Sequence, residues 1–144
     1  MRSTITIMTG IMLLFSGLVS ADTITDLRPA INDAAARHGV DPVLMEAIMR
    51  HESANGTSFS ARRRNNLAGI MGRRGQRQYG SKEDCVNDLA SILAKYRQRG
   101  RVTVAQIARS YCASHSSWTR HVNGLMGQIR SGRFGALEQA SSED

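Results

Sequence analysis

Ala47-Ile48-Met49-Arg50-His51-Glu52-Ser53, followed by Ala54-Asn55-Gly56-Thr57-Ser58, is the stretch on which the reading of this chain turns. It reads as the end of a buried helix that delivers a carboxylate into a cleft. Counting back from Glu52, Met49 lies at i−3, Ile48 at i−4 and Met45 at i−7, spacings that share one helix face. Glu52 therefore stands on the apolar side, where a surface glutamate would not. It also falls in the last turn, where the peptide dipole is negative and disfavours an anion. Apolar neighbours and dipole together favour the protonated acid. Cleaving a glycosidic bond requires such a proton donor, because the leaving oxygen must be protonated. A glutamate simply exposed at a helix end is the plainer alternative.

Upstream of this stretch, Asp26 to His38 has a helical stripe in Leu27, Ile31, Ala34 and Ala35, with Gly39 as its stop. Asp41 then caps a second helix that begins at Pro42. Its stripe is Leu44, Met45, Ile48 and Met49, and the i,i+4 pair Glu46–Arg50 is placed on its wet side. Downstream, Ser53 to Ser81 carries five glycines and six arginines (Arg62, Arg63, Arg64, Arg73, Arg74 and Arg77) with little periodicity beyond Leu67, Ile70 and Met71. It reads as a loop-rich or short-hairpin lobe with a basic rim able to hold an anionic polymer. Ser81 starts the next helix with Asp84 as its capping-box partner. Val86, Leu89, Leu93 and Tyr96 follow one face, and Gly100 closes it. Thr103 caps a helix from Val104 to about Cys112, with Ile107, Ala108 and Tyr111 inward. Ser116 or Ser117 caps a last helix, Trp118 to Ser131, with Val122, Leu125, Met126 and Ile129 as its stripe. The expected architecture is mainly α: about five helices around one core, interrupted by one loop-rich lobe.

The ends and the composition bound the setting. Residues 1–21 read as a signal peptide, with Arg2 the only charge before Asp22, an apolar run from Ile5 to Val19, and Val19-Ser20-Ala21 at the cleavage site. The stretch is short for a membrane span of about 20 apolar residues. The domain then runs over 22–132, with 133–144 as a frayed tail. The whole chain of 144 residues carries 19 basic and 12 acidic residues, a net +7. Without Arg2, 18 basic residues against 12 acidic leave +6. An exported basic domain is expected to meet anionic envelope polymers; the export signal weighs against nucleic acid, the other usual partner of such a charge, and no nucleic-acid partner is expected. The workplace is periplasmic or secreted, with no integral membrane segment after cleavage. Cys85 and Cys112, in an oxidising compartment, are expected to form one disulfide closing about 27 residues, a contribution of roughly 3 kcal/mol. Neither metal-ligand spacing nor a phosphate-cradling glycine loop occurs, so no metal and no cofactor is expected.

Three motifs in order carry a family resemblance: Glu52-Ser53-x-x-Gly56-x-Ser58, then Asn65-Asn66-Leu67-x-Gly69-Ile70, then Tyr79-x-Ser81. With Ile107-Ala108-x-x-Tyr111-Cys112 and Trp118-x-x-x-Val122, the chain from about Ile31 to Ile129 resembles the glucosaminidase family of the lysozyme superfamily, family 73 of the glycoside hydrolases. The resemblance implies a lysozyme-like fold and cleavage of peptidoglycan glycan strands between N-acetylglucosamine and N-acetylmuramic acid. By position it makes Glu52 the catalytic acid and Tyr111 a cleft tyrosine that helps position the sugar, plain core packing being the alternative for Tyr111. Ser53, Ser58, Asn66 and Tyr79 fall where the cleft is shaped or the sugar bound.

One departure from the family's pattern concerns the second acid. From Ser53 through Lys82, thirty consecutive residues, there is no Asp or Glu. A two-carboxylate glycosidase needs a partner roughly 5 to 9.5 Å from the acid. The candidates are Glu83 and Asp88, since Asp84 is committed to capping. A single-acid mechanism is therefore expected, with either the substrate's acetamido group or the muramic 6-hydroxyl as the internal nucleophile, the latter as in lytic transglycosylases. A catalytically silent wall-binding or assembly module on the same fold is the alternative outside enzymes, and the partner in any envelope machine is unspecified. A DNA-binding helix-turn-helix over Val104–Arg120 is opposed by the export signal and by Trp118, which suits a core better than a groove-reading face.

Overall fold

The computed structural model describes residues 22–137; the expected signal peptide at 1–21 and residues 138–144 of the expected tail lie outside the described residues. The described chain is mainly helical. Its elements run α1 (Thr23–Asp26), α2 (Arg28–His38), α3 (Pro42–Ser53), α4 (Phe59–Arg64), β1 (Met71–Gly72), β2 (Gly75–Gln76), α5 (Lys82–Gln98), α6 (Val104–Tyr111) and α7 (His115–Arg130). The two short strands pair antiparallel, Met71 opposite Gln76 and Gly72 opposite Gly75, and form the hairpin of the loop-rich lobe.

α3 is the helix the others surround. Asp41 caps it, its Oδ1 accepting from the Val43 amide at 2.8 Å, and Pro42 occupies the first turn without costing a hydrogen bond. Every residue from Leu44 to Arg50 is buried, because α1, α2, α5 and α7 all pack against this helix. Met45, Ile48 and Met49 meet Ile31 of α2, Val86 and Leu89 of α5, and Val122 and Ile129 of α7 in one core. Each such side chain contributes about 1.5–3 kcal/mol on full burial.

That enclosure corrects one expectation. Glu46 and Arg50 do form an i,i+4 pair, at 2.8 Å, but it is buried rather than on a wet face. Arg28 Nε and Nη2 each donate to Glu46 at 3.0 Å, and Arg50 Nε and Nη2 donate to Glu46 Oε1 at 2.9 and 2.8 Å. Arg50 also donates to Asp22 Oδ2, Asn55 Oδ1 and Thr25 Oγ1, which engages all five of its N–H groups. Two cations and two anions thus balance inside the fold, which is what makes their burial tolerable. The start of the expected tail docks on this network. The Phe134 ring lies 3.8 Å from the Arg50 guanidinium carbon, and Arg28 Nη1 donates to the carbonyls of Gly135 and Ala136.

The caps expected at Ser81 and Thr103 are present as full capping boxes, with Asp84 and Gln106 as partners. α7, however, starts at His115 rather than Trp118, with Ser114 as its N-cap. Ser117 lies inside the first turn and donates back to the Ser114 carbonyl at 3.1 Å. α4 has no counterpart in the sequence reading, since only Ala61 faces inward. Its cap, Ser58, accepts from the Ala61 amide, and left-handed Asn65 ends it. No described helix is long and apolar enough to cross a membrane.

Candidate active site

The end of α3 sets Glu52. Two left-handed residues, Ala54 (φ 49°) and Asn55 (φ 55°), turn the chain sharply just after it. The Ser53 hydroxyl fixes this turn, donating to the Met49 carbonyl at 2.5 Å and accepting from the Gly56 amide at 2.8 Å. Ser53 is completely buried, so it shapes the helix end and does not present its hydroxyl to a ligand.

Glu52 itself is half-buried. Trp118, from the first turns of α7, donates its indole Nε1–H to Glu52 Oε1 at 2.7 Å. The other oxygen, Oε2, faces Gly69. A β-carbon at position 69 would lie 2.6 Å from Oε2, and Gly69 has φ +65°. Both the missing side chain and the left-handed backbone require glycine there. The chain's single tryptophan suits a core, and it is buried. The missed signal is that a buried indole N–H needs an acceptor.

Tyr111, on α6, completes the wall. Its ring centroid is 5.2 Å from that of Trp118, and its hydroxyl donates to the Ala68 carbonyl at 2.9 Å. Burial, and next the Glu52 carboxylate, push the Tyr111 phenol well above its ordinary range, so it stays protonated. Its proton is committed to Ala68. Gly69 and Tyr111 in turn belong to a cleft of about 230 Å³ with Ile70, Met71, Ile92, Tyr96 and Ser110. His51 stands edge-on to Trp118, ring centroids 6.1 Å apart.

The remaining expected residues are elsewhere. Asn66 is buried and clamps the lobe: Nδ2 donates to the carbonyls of Ile70 and Arg77, and Oδ1 accepts from the Ile70 amide. Ser58 caps α4. Tyr79 donates to Asp88 Oδ2 at 2.6 Å, and burial followed by Asp88 raises its phenol far above the ordinary range. Asp88 also takes Arg77 Nη1 at 2.7 Å, so this candidate second acid is held in a three-residue cluster. Glu83 is exposed in the first turn of α5. Cys85 and Cys112 are free thiols, contrary to the disulfide expectation. Burial raises the Cys85 thiol, and the nearby Ala68 and Leu67 amides oppose that rise. No group of three or more His, Cys, Asp or Glu among the described residues is placed to hold a metal ion.

A carboxyl group gripped through one oxygen, its other oxygen against the glycine that also lines the cleft, is suited to giving a proton to a ligand bound there. The family comparison agrees with that chemistry. Residues 28–131, well over half the chain, match the glucosaminidase model, described as mannosyl-glycoprotein endo-beta-N-acetylglucosaminidase. The chain belongs to the glucosaminidase family. No curated protein matches it. Membership in the glucosaminidase family makes the protein a glycosidase with a glycan substrate, and the matched span includes Glu52, Gly69, Tyr111 and Trp118 alike.

Proposed function

We propose that the protein is an exported peptidoglycan hydrolase of the endo-beta-N-acetylglucosaminidase type, with Glu52 as its general acid. The observation that carries this reading is the Trp118–Glu52–Gly69 arrangement. The indole N–H occupies Oε1, so the acid's proton belongs on Oε2, beside the residue that has no side chain to block it. A glycosidic oxygen bound there takes that proton as its bond to C1 breaks. Tyr111 holds the loop that carries Gly69 and lends its ring to the sugar-facing wall.

Asp88 is already occupied by Arg77 and Tyr79, which supports a mechanism with one acid. The acetamido oxygen of the substrate then forms the new bond to C1, and water opens the cyclic intermediate to a reducing end. The runner-up is a lytic transglycosylase, in which the muramic 6-hydroxyl bonds to C1 and leaves an anhydro sugar. The apolar leader at residues 1–21 and the basic charge support work in the periplasm or outside the cell.

The test is a digest of purified peptidoglycan, read by mass spectrometry beside Glu52→Gln. Fragments ending in reducing N-acetylglucosamine are expected. Anhydromuramic ends would move the protein to the transglycosylases. Intact strands that still bind the folded protein would make it a silent wall-binding module.

A further inference from the structure

The hairpin that continues the cleft wall is basic on both sides, and its charges are largely unanswered. Met71 lines the cleft and opens β1; the turn two residues on carries Arg73 and Arg74. α4, alongside, carries Arg62, Arg63 and Arg64. Arg77 pairs with Asp88, and Arg64 reaches the Gln76 carbonyl at 3.4 Å. Arg62, Arg63, Arg73 and Arg74 are all exposed, and none makes a side-chain hydrogen bond or ion pair among the described residues. The thirty residues from Ser53 to Lys82 contain no acid to neutralise them. The lobe is held firmly: Tyr79 N bonds to the Arg64 carbonyl and Arg77 N to the Ile70 carbonyl, both at 2.9 Å, and Asn66 clamps the loop between. Phe59, 65% exposed, frames a hollow of about 400 Å³ with Arg62 and Arg63. Four uncompensated guanidinium groups on one small rigid lobe repel one another, and a ligand bearing several carboxylates relieves that.

We infer that Arg62, Arg63, Arg73 and Arg74 form a binding site for the carboxylates of the peptide stems carried by the glycan strand, with Phe59 taking their aliphatic parts. This rests on the peptidoglycan reading above. The argument is one of continuity and charge. A strand lying in the cleft passes Met71, so its substituents meet the hairpin. The sugar backbone offers no strong anion, and the stems do. Arginine, with its planar fork, suits carboxylates better than lysine would.

The test measures binding of labelled glycan strands at low salt to the Glu52→Gln protein, which leaves the strands intact. It is compared with the same protein carrying Arg62→Gln, Arg63→Gln, Arg73→Gln and Arg74→Gln. Three strands are used: native stems, stems with amidated carboxylates, and strands stripped of stems. An exposed ion pair is worth about twofold, so the four arginines together should favour native over amidated stems by roughly tenfold. The quadruple variant should bind all three strands alike and lose most of its salt dependence. Equal affinity of the unsubstituted lobe for native and amidated stems would overturn the inference. So would a stem preference that survives in the quadruple variant, or tighter binding of a single-stranded DNA oligonucleotide. A parallel digest with unmodified protein separates the two readings. Absence of cleavage with an intact stem preference removes the hydrolase and leaves the arginine site standing.

Discussion

Two glutamates six residues apart on α3 have opposite fates. At 3.6 residues per turn they stand about 120° apart around the helix, so they meet different neighbours. Glu46 faces α2 and receives four N–H donors from Arg28 and Arg50, with 2% of its surface exposed. Glu52, half-buried at the end of α3 beside Gly69 of the cleft wall, receives one, the Trp118 indole. The residue type is the same; the supply of donors decides whether the carboxylate is a rivet or a reagent. Four charge-assisted bonds from two guanidinium groups hold Glu46 in place as a structural link. Glu52 is held at a single oxygen.

That contrast can be broken at Glu46 first. Glu46→Ala strands two buried guanidinium groups and should cost about 3–5 kcal/mol of stability, seen as a lower denaturant midpoint. A change under about 1 kcal/mol would mean the network is not holding the helices together. Glu52→Gln should do the reverse. It keeps an oxygen for the indole, so the midpoint should hardly move, while the cleavage rate falls more than about 100-fold, or roughly 2.7 kcal/mol. Retained activity would remove Glu52 from the mechanism. Trp118→Phe keeps the ring and deletes the donor; about a tenfold drop in kcat is expected from losing the bond that orients the acid, with KM little altered. An unchanged kcat would reduce the indole to packing.

The smallest effect lies at the edge of the Glu46 network. Burial raises the Asp22 carboxyl, but Arg50 and the Thr25 and Ile24 amides outweigh it and hold the group below its ordinary 3.8. Its contribution is therefore fully present above about pH 4 and disappears as acid protonates the folded form. Asp22→Asn should flatten that acid limb of a stability-against-pH curve and leave the neutral region the less altered part. A limb of unchanged slope would place the acid sensitivity elsewhere.

The same contrast explains what was legible in the sequence. Periodicity located α2, α3, α5, α6 and α7, because each turns an apolar stripe to one core, and local hydrogen-bond chemistry located the caps at Asp41, Ser81 and Thr103. Periodicity also put Glu52 on the right face. It misjudged Glu46 and Arg50 because a stripe tells which side of a helix is apolar, not how many neighbours enclose the other side. Arg28 and the 134–136 segment that cover them lie far off in sequence. α4 escaped notice because one buried alanine makes no stripe. At the site, Gly69 and Tyr111 stood within recognisable motifs, but their contacts with Glu52 and Ala68 cross 17 and 43 residues of chain, as residue numbers show. Asn66 and Ser53 were legible as polar residues with work to do; that the work is internal depends on burial, which spacing does not encode.

The bond from Tyr111 to the Ala68 carbonyl has a consequence for timing. The acid arrives on the third helix, but the tyrosine that tethers its opposing loop and the indole that grips it come from the last two. A chain emerging from its N-terminus carries Glu52 long before it carries Tyr111 and Trp118. Until the final third has emerged and docked, the glutamate has neither its donor nor its wall, and a nascent or truncated chain ending before Thr103 has an acid but no site.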